Sequence, residues 1–252
     1  MIGLILVTYA HWPEKLIASV EASGLDVMWY VHHHGSEPAF AGRVEELAQR
    51  PNFRVQMHRE NRGLSRSWND GLQQAYIDGA EIALLLNDDL HFVDGGFLSF
   101  VEFARAHSGY GLAFLHGLET GGSHYAGKIM PQDFACCIVS PEAINTVGWF
   151  DENIRPAYYE DFDYFRRCRL SGVNIITAGG VLVEHERSKT TRENPEVAAA
   201  NDRVMARNLA YYTEKWGAPG QEVHRTPFGD DNLTNKIDGT VRSDPYPGRA
   251  PA

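Results

Sequence analysis

Cysteine is scarce in this sequence of 252 residues, which contains only Cys136, Cys137 and Cys168. Two of them are adjacent and the third stands alone, so they form neither a disulfide framework nor a pattern of zinc ligands. No apolar run approaches the roughly 18 residues that a membrane-spanning helix needs. The first residues lack the basic region and the cleavage site of a signal peptide. We therefore expect a cytoplasmic protein without a transmembrane segment.

Positive charge is also in short supply, because 23 Lys and Arg residues stand against 33 Asp and Glu residues, a net charge of −10. This balance argues against a broad electrostatic surface for nucleic acid, so we expect no nucleic-acid partner. An anionic ligand would have to be held locally, by a metal ion, a few arginines or helix N-termini. The hydrophobic fraction of 43% excludes disorder of the whole chain and allows one continuous core.

The first 115 residues alternate short apolar runs with amphipathic stretches. The pattern predicts strands at 3–8, 27–31, 53–57 and 82–86 with helices between them. This order predicts an α/β fold with a mostly parallel central sheet covered by helices. Ligands of such sheets bind beyond the carboxyl ends of the strands, where polar residues follow each run. These are Thr8, His32 to His34, His58 to Asn61 and Asn87 to Asp89.

The second half of the sequence is less regular. We predict strands at 135–139, 173–177 and 181–183, a helix at 160–171 and a long amphipathic helix at 195–216, followed by an extended tail rich in Pro, Gly, Asp and Asn. Residues 117–134 are rich in glycine and polar residues, and we expect them to form a mobile lid that orders over the bound donor or acceptor; the alternative is a plain surface connection.

Asn87, Asp88 and Asp89 end an apolar strand abruptly. Two carboxylates at the ligand edge of a sheet are costly unless a cation sits there. Oxygen ligands suit Mg²⁺ or Mn²⁺, which commonly bridge to phosphates. The alternative is a turn that caps the next helix, which is expected to begin near Asp94.

Glu160, Asp161 and Asp163 open a predicted helix directly after two tyrosines. Carboxylates in a first turn complement the helix dipole, and this structural role is one interpretation. The other is that Asp161 faces a cleft as a general base.

Two further segments are candidates for ligand contact. A strand delivers His185 to a polar, partly basic loop, although a histidine in such a place is more often a surface or core residue. Asn61, Gly63 and Arg66 lie at a junction of strand, loop and helix, where free helix amides and arginines suit a diphosphate. Gly63 alone is a weak signal, because a turn without any ligand is enough to require glycine.

Several motifs occur in an order that resembles the family 2 glycosyltransferases, over about residues 2–190. They are Thr8-Tyr9, Asn61-Arg62-Gly63, Asn69-Asp70-Gly71, Asn87-Asp88-Asp89, Gly148-Trp149-Phe150-Asp151-Glu152, Tyr159-Glu160-Asp161-Phe162-Asp163, Arg169-Leu170-Ser171-Gly172 and His185. The resemblance implies a Rossmann-like GT-A fold and an inverting enzyme of the hexosyltransferase type. It implies a nucleotide-sugar donor, UDP- or another NDP-sugar, and a glycan, lipid-linked or protein acceptor.

The same resemblance implies a role for individual residues. Asp161 would be the catalytic base, and Asp89, at the end of a DxD-like motif, would bind a divalent metal ion together with His185. Mn²⁺ would be favoured over Mg²⁺, because imidazole suits the softer ion. The donor nucleotide would contact Thr8, Tyr9, Ser36, Asn61, Gly63, Arg66, Asn87 and Asp88.

The sequence departs from the family pattern at two places. The first position of the DxD-like motif is Asn87, and His32, His33 and His34 precede Ser36 where members often carry a D-x-S-x-D turn. Neighbouring strand residues point to opposite faces, so the three histidines cannot converge on one metal ion.

We expect residues 1–190 to form the catalytic domain, with a nucleotide-binding half at 1–115 and an acceptor half at 116–190. Residues 191–252 would add a helix and tail packed on that domain. Two alternatives remain open: a sugar-phosphate nucleotidyltransferase, against which the lack of a glycine-rich loop after the first strand argues, and an inactive module that binds sugar nucleotides or glycans.

Overall fold

A computed structural model describes residues 1–9, 11–35, 38–120, 127–130, 132–186, 195–223, 236–237 and 240–241. The strands are β1 (Ile2–Thr8), β2 (Val27–His33), β3 (Phe53–Met57), β4 (Ile82–Asn87), β5 (Leu90–Phe92), β6 (Leu112–Glu119), β7 (Ile129–Met130), β8 (Cys136–Val139), β9 (Ile175–His185), β10 (Lys236–Ile237) and β11 (Thr240–Val241). The helices are α1 (Glu14–Glu21), α2 (Pro38–Ala48), α3 (Leu64–Ile77), α4 (Gly96–Ala106), α5 (Pro141–Val147), α6 (Glu160–Leu170) and α7 (Pro195–Trp216).

One nine-stranded sheet organises the described residues, with the order β3-β2-β1-β4-β8-β6-β9-β5 and β7 paired to β6. Strands β3, β2, β1 and β4 are parallel, as are β6 and β9. Strand β8 runs antiparallel to both of its neighbours, β4 and β6. The predicted α/β fold with a mostly parallel sheet covered by helices is confirmed.

Helices cover both faces of the sheet, because residues of its central strands alternate between two hydrophobic clusters. In β1, Leu4 and Leu6 join a cluster that includes residues of α1 and α4. Ile5 and Val7 of the same strand join a second cluster with residues of α3, α5 and α6. The continuous apolar pattern of β1 therefore reflects a strand that is buried on both sides.

Helix α3 approaches β1 unusually closely at Gly71. A Cβ atom placed on Gly71 would lie 2.5 Å from Cγ2 of Ile5 and 3.2 Å from its Cβ. The branched side chain of Ile5 has little freedom to move away in a buried strand. The glycine of the Asn69-Asp70-Gly71 motif is thus required by packing.

The structure corrects three boundaries. Residues 173–177 and 181–183 were expected to form two strands, but β9 is one strand whose register against β6 shifts near His116. The expected loop at 117–134 is shorter, because β6 continues to Glu119 and β7 pairs back onto it. Residues 121–126 and 131 of that segment lie outside the described residues. The helix expected near Asp94 begins at Gly96, after the short strand β5.

Candidate active site

A cleft of about 630 Å³ lies at the edge where the parallel strands end. Its walls come from the ends of β1, β4 and β9, the turn before β8, the start of α6 and one side of α7. The position agrees with the prediction that ligands bind beyond the carboxyl ends of the strands.

The end of β4 places three polar residues in the cleft wall, namely Asn87, Asp88 and Asp89. Oδ2 of Asp88 accepts a hydrogen bond from the backbone N–H of Tyr9, at 3.4 Å. Burial, and then the negative charge of Asp89, raises the pKa of Asp88 to about 8. Two carboxylates this close to each other and this poorly hydrated favour a cation beside them.

His185 lies among three carboxylates. Its Nε2 is 3.0 Å from Oδ1 of Asp89, while its Nδ1 is 3.4 Å from Oε1 of Glu119 and 3.6 Å from Oδ2 of Asp133. Burial by itself lowers the pKa of His185, but its contacts with Asp133, Asp89 and Glu119 outweigh burial and raise the pKa to about 11. Carboxylate oxygens with one imidazole nitrogen form a donor set that fits a divalent transition-metal ion.

The three carboxylates at the start of α6 have different surroundings. Glu160 and Asp161 line the cleft, whereas Asp163 is fully buried beneath it. Burial, and then the charge of Asp161, raises the pKa of Glu160 well above its usual value, which favours its neutral form. Of the three, Asp161 is the carboxylate placed to accept a proton in the cleft.

Asp163 belongs to a buried ionic network that joins α6 to the end of α7. Its Oδ1 accepts hydrogen bonds from Nζ of Lys215 at 2.8 Å and from the indole N–H of Trp216 at 2.8 Å. Its Oδ2 accepts from Nε of Arg167 at 2.9 Å, and Lys215 also donates to Asp151 at 2.7 Å. Burial by itself raises the pKa of Asp163, but the positive charges of Lys215 and Arg167 together have the larger effect and lower it to about 2.

A strained turn leads into α6. Tyr158 and Tyr159 both have positive φ angles, of 75° and 77°. Nδ2 of Asn208, on α7, donates hydrogen bonds to the backbone carbonyls of Ala157 and Tyr158 at 2.8 and 3.1 Å. Helix α7 therefore holds the turn that positions Glu160 and Asp161 at the cleft.

The histidines at the end of β2 separate as the strand alternation predicts. His33 points to Thr8, whose Oγ1 lies 2.8 Å from its Nδ1. His32 and His34 lie on the other side beside His58, with His32 Nδ1 3.2 Å from His58 Nε2. Burial is the main cause that lowers the pKa of His32 to about 4 and of His34 to about 3, so both are neutral.

The loop before α3 brings Asn61 into the cleft wall, where its Oδ1 accepts from the backbone N–H of Gly63 at 3.0 Å. Gly63 has a φ angle of +90° and directly precedes Leu64, the first residue of α3. Arg66 is not in the cleft wall; its side chain is nearly half exposed and lies 3.8 Å from Glu152.

The remaining predicted nucleotide contacts fall in different places. Tyr9 is exposed and lines the cleft. Thr8 is buried, with its hydroxyl bound to His33, and Val7 takes its place in the cleft wall. Ser36 lies outside the described residues.

Sequence reasoning missed two parts of the site. Glu119 and Asp133 were not singled out, because nothing in the sequence shows that β6 pairs with β9 and sets Glu119 opposite His185. Helix α7 was expected only to pack on the domain, but Asn201, Val204 and Met205 line the cleft. The position of Lys215 at a helix end, where lysine is common, concealed its buried partners.

Comparison with solved structures shows that the fold is shared with nucleotide-binding proteins. Residues 1–349 of S. aureus TarS in complex with UDP are 15% identical over 84% of this chain and 72% of that chain, with a TM-score of 0.59. The same protein in complex with UDP-GlcNAc is 14% identical, with the same coverage and a TM-score of 0.58. No protein-family model and no curated protein matches the sequence.

A third similar structure is the mannosyltransferase PcManGT from Pyrobaculum calidifontis in complex with GDP-Man and Mn²⁺. It is 15% identical over 75% of this chain and 57% of that chain, with a TM-score of 0.56. At such identities the likeness establishes the fold, which is of the Rossmann-like GT-A type. Among the described residues, no helix is long and apolar enough to cross a membrane.

Proposed function

We propose that this protein is a metal-assisted, inverting glycosyltransferase that moves a sugar from a nucleoside diphosphate donor to an acceptor hydroxyl. One observation carries the proposal: a single cleft brings Asp88 and Asp89, at the end of β4, together with Asp161, at the start of α6. The fold supports it, because TarS is seen with UDP and UDP-GlcNAc, and PcManGT, a mannosyltransferase, with GDP-Man and Mn²⁺.

Residues 1–190 would form the catalytic domain, with α7 completing the acceptor side of the cleft. Tyr9, Asn61, Asn87 and Asp88 would contact the donor, with Thr8, Ser36, Gly63 and Arg66 as further candidates in the adjoining loops. The acceptor, a glycan, a lipid-linked sugar or a protein, would reach Asp161 from the side of α7.

Asp89 and Nε2 of His185 would hold the divalent ion, with Mn²⁺ favoured because the site includes an imidazole. When bound, such an ion neutralises the negative charge that develops on the departing nucleoside diphosphate. Asp88, at the same strand end, would be ionised once a cation lies beside Asp89, because opposite charge favours the carboxylate form.

Asp161 would take the proton of the acceptor hydroxyl. As the acceptor oxygen bonds to the anomeric carbon, the bond from that carbon to the diphosphate oxygen breaks, and the proton passes to Asp161. The reference pKa of Asp, near 3.9, is far below that of an alcohol, so proton transfer must accompany bond formation. A single displacement, with the base and the leaving group on opposite faces, inverts the anomeric carbon.

Hydrolysis of the donor without an acceptor is the first test. The protein should release nucleoside diphosphate from at least one of UDP-, GDP- or dTDP-sugars in the presence of Mn²⁺. Pyrophosphate release from a nucleoside triphosphate and a sugar phosphate would instead identify a nucleotidyltransferase. If the donor binds but neither reaction nor transfer to any acceptor occurs, the protein is a binding module and the proposal fails.

A further inference from the structure

We propose that Glu119 and Asp133 are positioning residues, which hold the Nδ1–H of His185 so that its Nε2 lone pair faces the metal ion. The inference rests on the proposed function in one respect, that the ion binds at Asp89. It adds a second pair of carboxylates, Asp133 in the cleft wall and Glu119 behind it, to the residues that hold the ion.

The backbone fixes this arrangement on three sides. Glu119 is the register partner of His185 in the parallel pair of β6 and β9. Oδ1 of Asp133 accepts a hydrogen bond from the backbone N–H of Ala135 at 2.9 Å, which leaves Oδ2 directed toward His185. The backbone carbonyl of Asp89 accepts from the N–H of Glu186 at 2.8 Å, so Asp89 is tied to the end of β9.

The two ring nitrogens of His185 face different surroundings. Nδ1 faces Oε1 of Glu119 at 3.4 Å and Oδ2 of Asp133 at 3.6 Å, which are ion-pair distances without hydrogen-bond geometry among the described residues. The Glu119 side chain is fully buried, so its negative charge favours a hydrogen on the nitrogen that faces it. A metal ion binds only a deprotonated ring nitrogen, and loss of the hydrogen from Nε2 leaves a lone pair there while Nδ1 keeps its hydrogen.

The position of Asp89 indicates which nitrogen meets the ion. His185, Asp89 and Asp133 line the cleft, but Glu119 does not. An ion that binds at Asp89 lies on the Nε2 side of the ring, because Nε2 is 3.0 Å from Oδ1 of Asp89. A carboxylate that holds the second ring nitrogen of a metal-bound histidine orients the ring and increases its basicity.

The test measures binding of Mn²⁺ alone, by calorimetry and by electron paramagnetic resonance, to Glu119→Gln and Asp133→Asn. An amide either accepts the Nδ1–H more weakly or turns its NH₂ toward Nδ1 and moves the ring hydrogen to Nε2. We expect Mn²⁺ affinity to fall about 10- to 100-fold, which is the usual effect of replacing a residue that holds a metal-bound histidine in place. Glu184→Gln is the control: Glu184 precedes His185 on β9 but pairs with His91, and its loss should change affinity less than about two-fold.

Nitrogen chemical shifts of His185 in the Zn²⁺-loaded protein provide the second readout. We expect Zn²⁺ on Nε2 and hydrogen on Nδ1, with the His185 signals identified by their loss in His185→Gln. Coordination through Nδ1 would place the ion among Glu119, Asp133 and His185 and would overturn the positioning role. An affinity loss in Glu184→Gln equal to that in the other two variants would also overturn it, because the effect would then be one of net charge.

The outcomes separate this role from the proposed function. If the predicted metal results hold while no donor is hydrolysed or transferred, the positioning role stands and the glycosyltransferase proposal fails. If donors react but Glu119→Gln and Asp133→Asn bind Mn²⁺ like the unmodified protein, only the positioning role fails. An unmodified protein that binds neither ion overturns the positioning role. Asp133 is partly exposed, so Asp133→Asn decides the question if Glu119→Gln does not fold.

Discussion

Lys215 lies 2.8 Å from Asp163, and this buried ion pair joins the last turn of α7 to the first turn of α6. Asp163 is two residues beyond Asp161 on α6. The end of α7, the longest helix in the described part of the chain, therefore stabilises the backbone that presents the proposed base.

Lys215→Met should destabilise the protein by about 3–5 kcal/mol, because it leaves Asp151 and Asp163 buried without one of their counter-charges. Lys15→Met is the matched control, since Lys15 also lies 2.7 Å from a carboxylate, that of Glu186, but is mostly exposed. Urea denaturation of Lys15→Met should show little measurable change. Equal effects in the two variants would contradict a special role for the buried pair.

Asp161→Asn should lower turnover by roughly 10²- to 10⁴-fold while donor affinity stays within a few-fold, since the amide keeps the shape but not the basicity. Glu160→Gln should cost much less, because Glu160 is buried and its raised pKa makes it a poorer proton acceptor than an ionised carboxylate. Single-turnover rates measure the chemical step, and donor titrations measure donor binding. If the losses are reversed, Glu160 is the base.

Asp89→Ala should abolish the Mn²⁺-dependent part of nucleoside diphosphate binding and leave the fold intact, because Asp89 lies in the turn after β4, at the cleft, and belongs to neither hydrophobic cluster. Calorimetry with and without Mn²⁺ measures the difference. Asp26→Ala, at the opposite edge of the sheet before β2, should bind the nucleotide and the ion normally. An unchanged affinity in Asp89→Ala would remove Asp89 from the metal site.

Acid should destabilise the protein through His32 and His34. Both are neutral when folded, with pKa values lowered by burial to about 4 and about 3, against 6.5 in the unfolded chain. Below pH 6.5 the unfolded chain binds more protons, so the free energy of unfolding should fall as the pH decreases toward 4. His58 and Arg62 strengthen the effect on His32 by repulsion, whereas Asp70 opposes it.

Urea denaturation across that pH range provides the measurement. The variant that combines His32→Gln with His34→Gln should show a flatter profile between pH 6.5 and 4 than the unmodified protein. His107 is exposed and directly follows α4, and His107→Gln should leave the profile unchanged. A profile that keeps its slope in the double variant would assign the acid sensitivity to other groups.

Gly71→Ala should destabilise the protein by about 1–3 kcal/mol, because the added methyl group would lie 2.5 Å from the Ile5 side chain. Gly42→Ala provides the control within α2, where a Cβ meets nothing within 4 Å. Alanine is the better helix former, so Gly42→Ala should be neutral or stabilising. Thermal melting of both variants tests whether the short distance between α3 and β1 is the reason that position 71 requires glycine.

The sequence predicted those elements whose signal is local. The apolar run that begins at Ile2 and the three- and four-residue spacing of Leu64, Trp68, Leu72 and Ala75 identify β1 and α3 directly. The candidate residues of the cleft, Asp89 and Asp161, were found in the same way, since each follows or begins such an element.

The parts that escaped prediction depend on contacts between distant segments. Glu119 resembles any polar residue at the end of a strand until β6 is paired with β9. Asn208 and Lys215 have the residue types of an exposed helix face, and only the docking of α7 reveals that they are buried. Periodicity reports which face of a helix is apolar, but not which polar residue on it will meet a partner.

The reversed direction of β8 has a consequence for how this protein can change. Both ends of the segment that links β6 to β8 are anchored at the ligand edge, at Glu119 beside His185 and at Ala135, whose carbonyl accepts the N–H of Asn87. Insertions, deletions or replacements within 120–132 would therefore begin and end at the cleft, and they would replace only the short strand β7. Among relatives, or in the laboratory, new substrate preferences can arise by exchanging this one stretch of sequence while the order of the other eight strands is inherited unchanged.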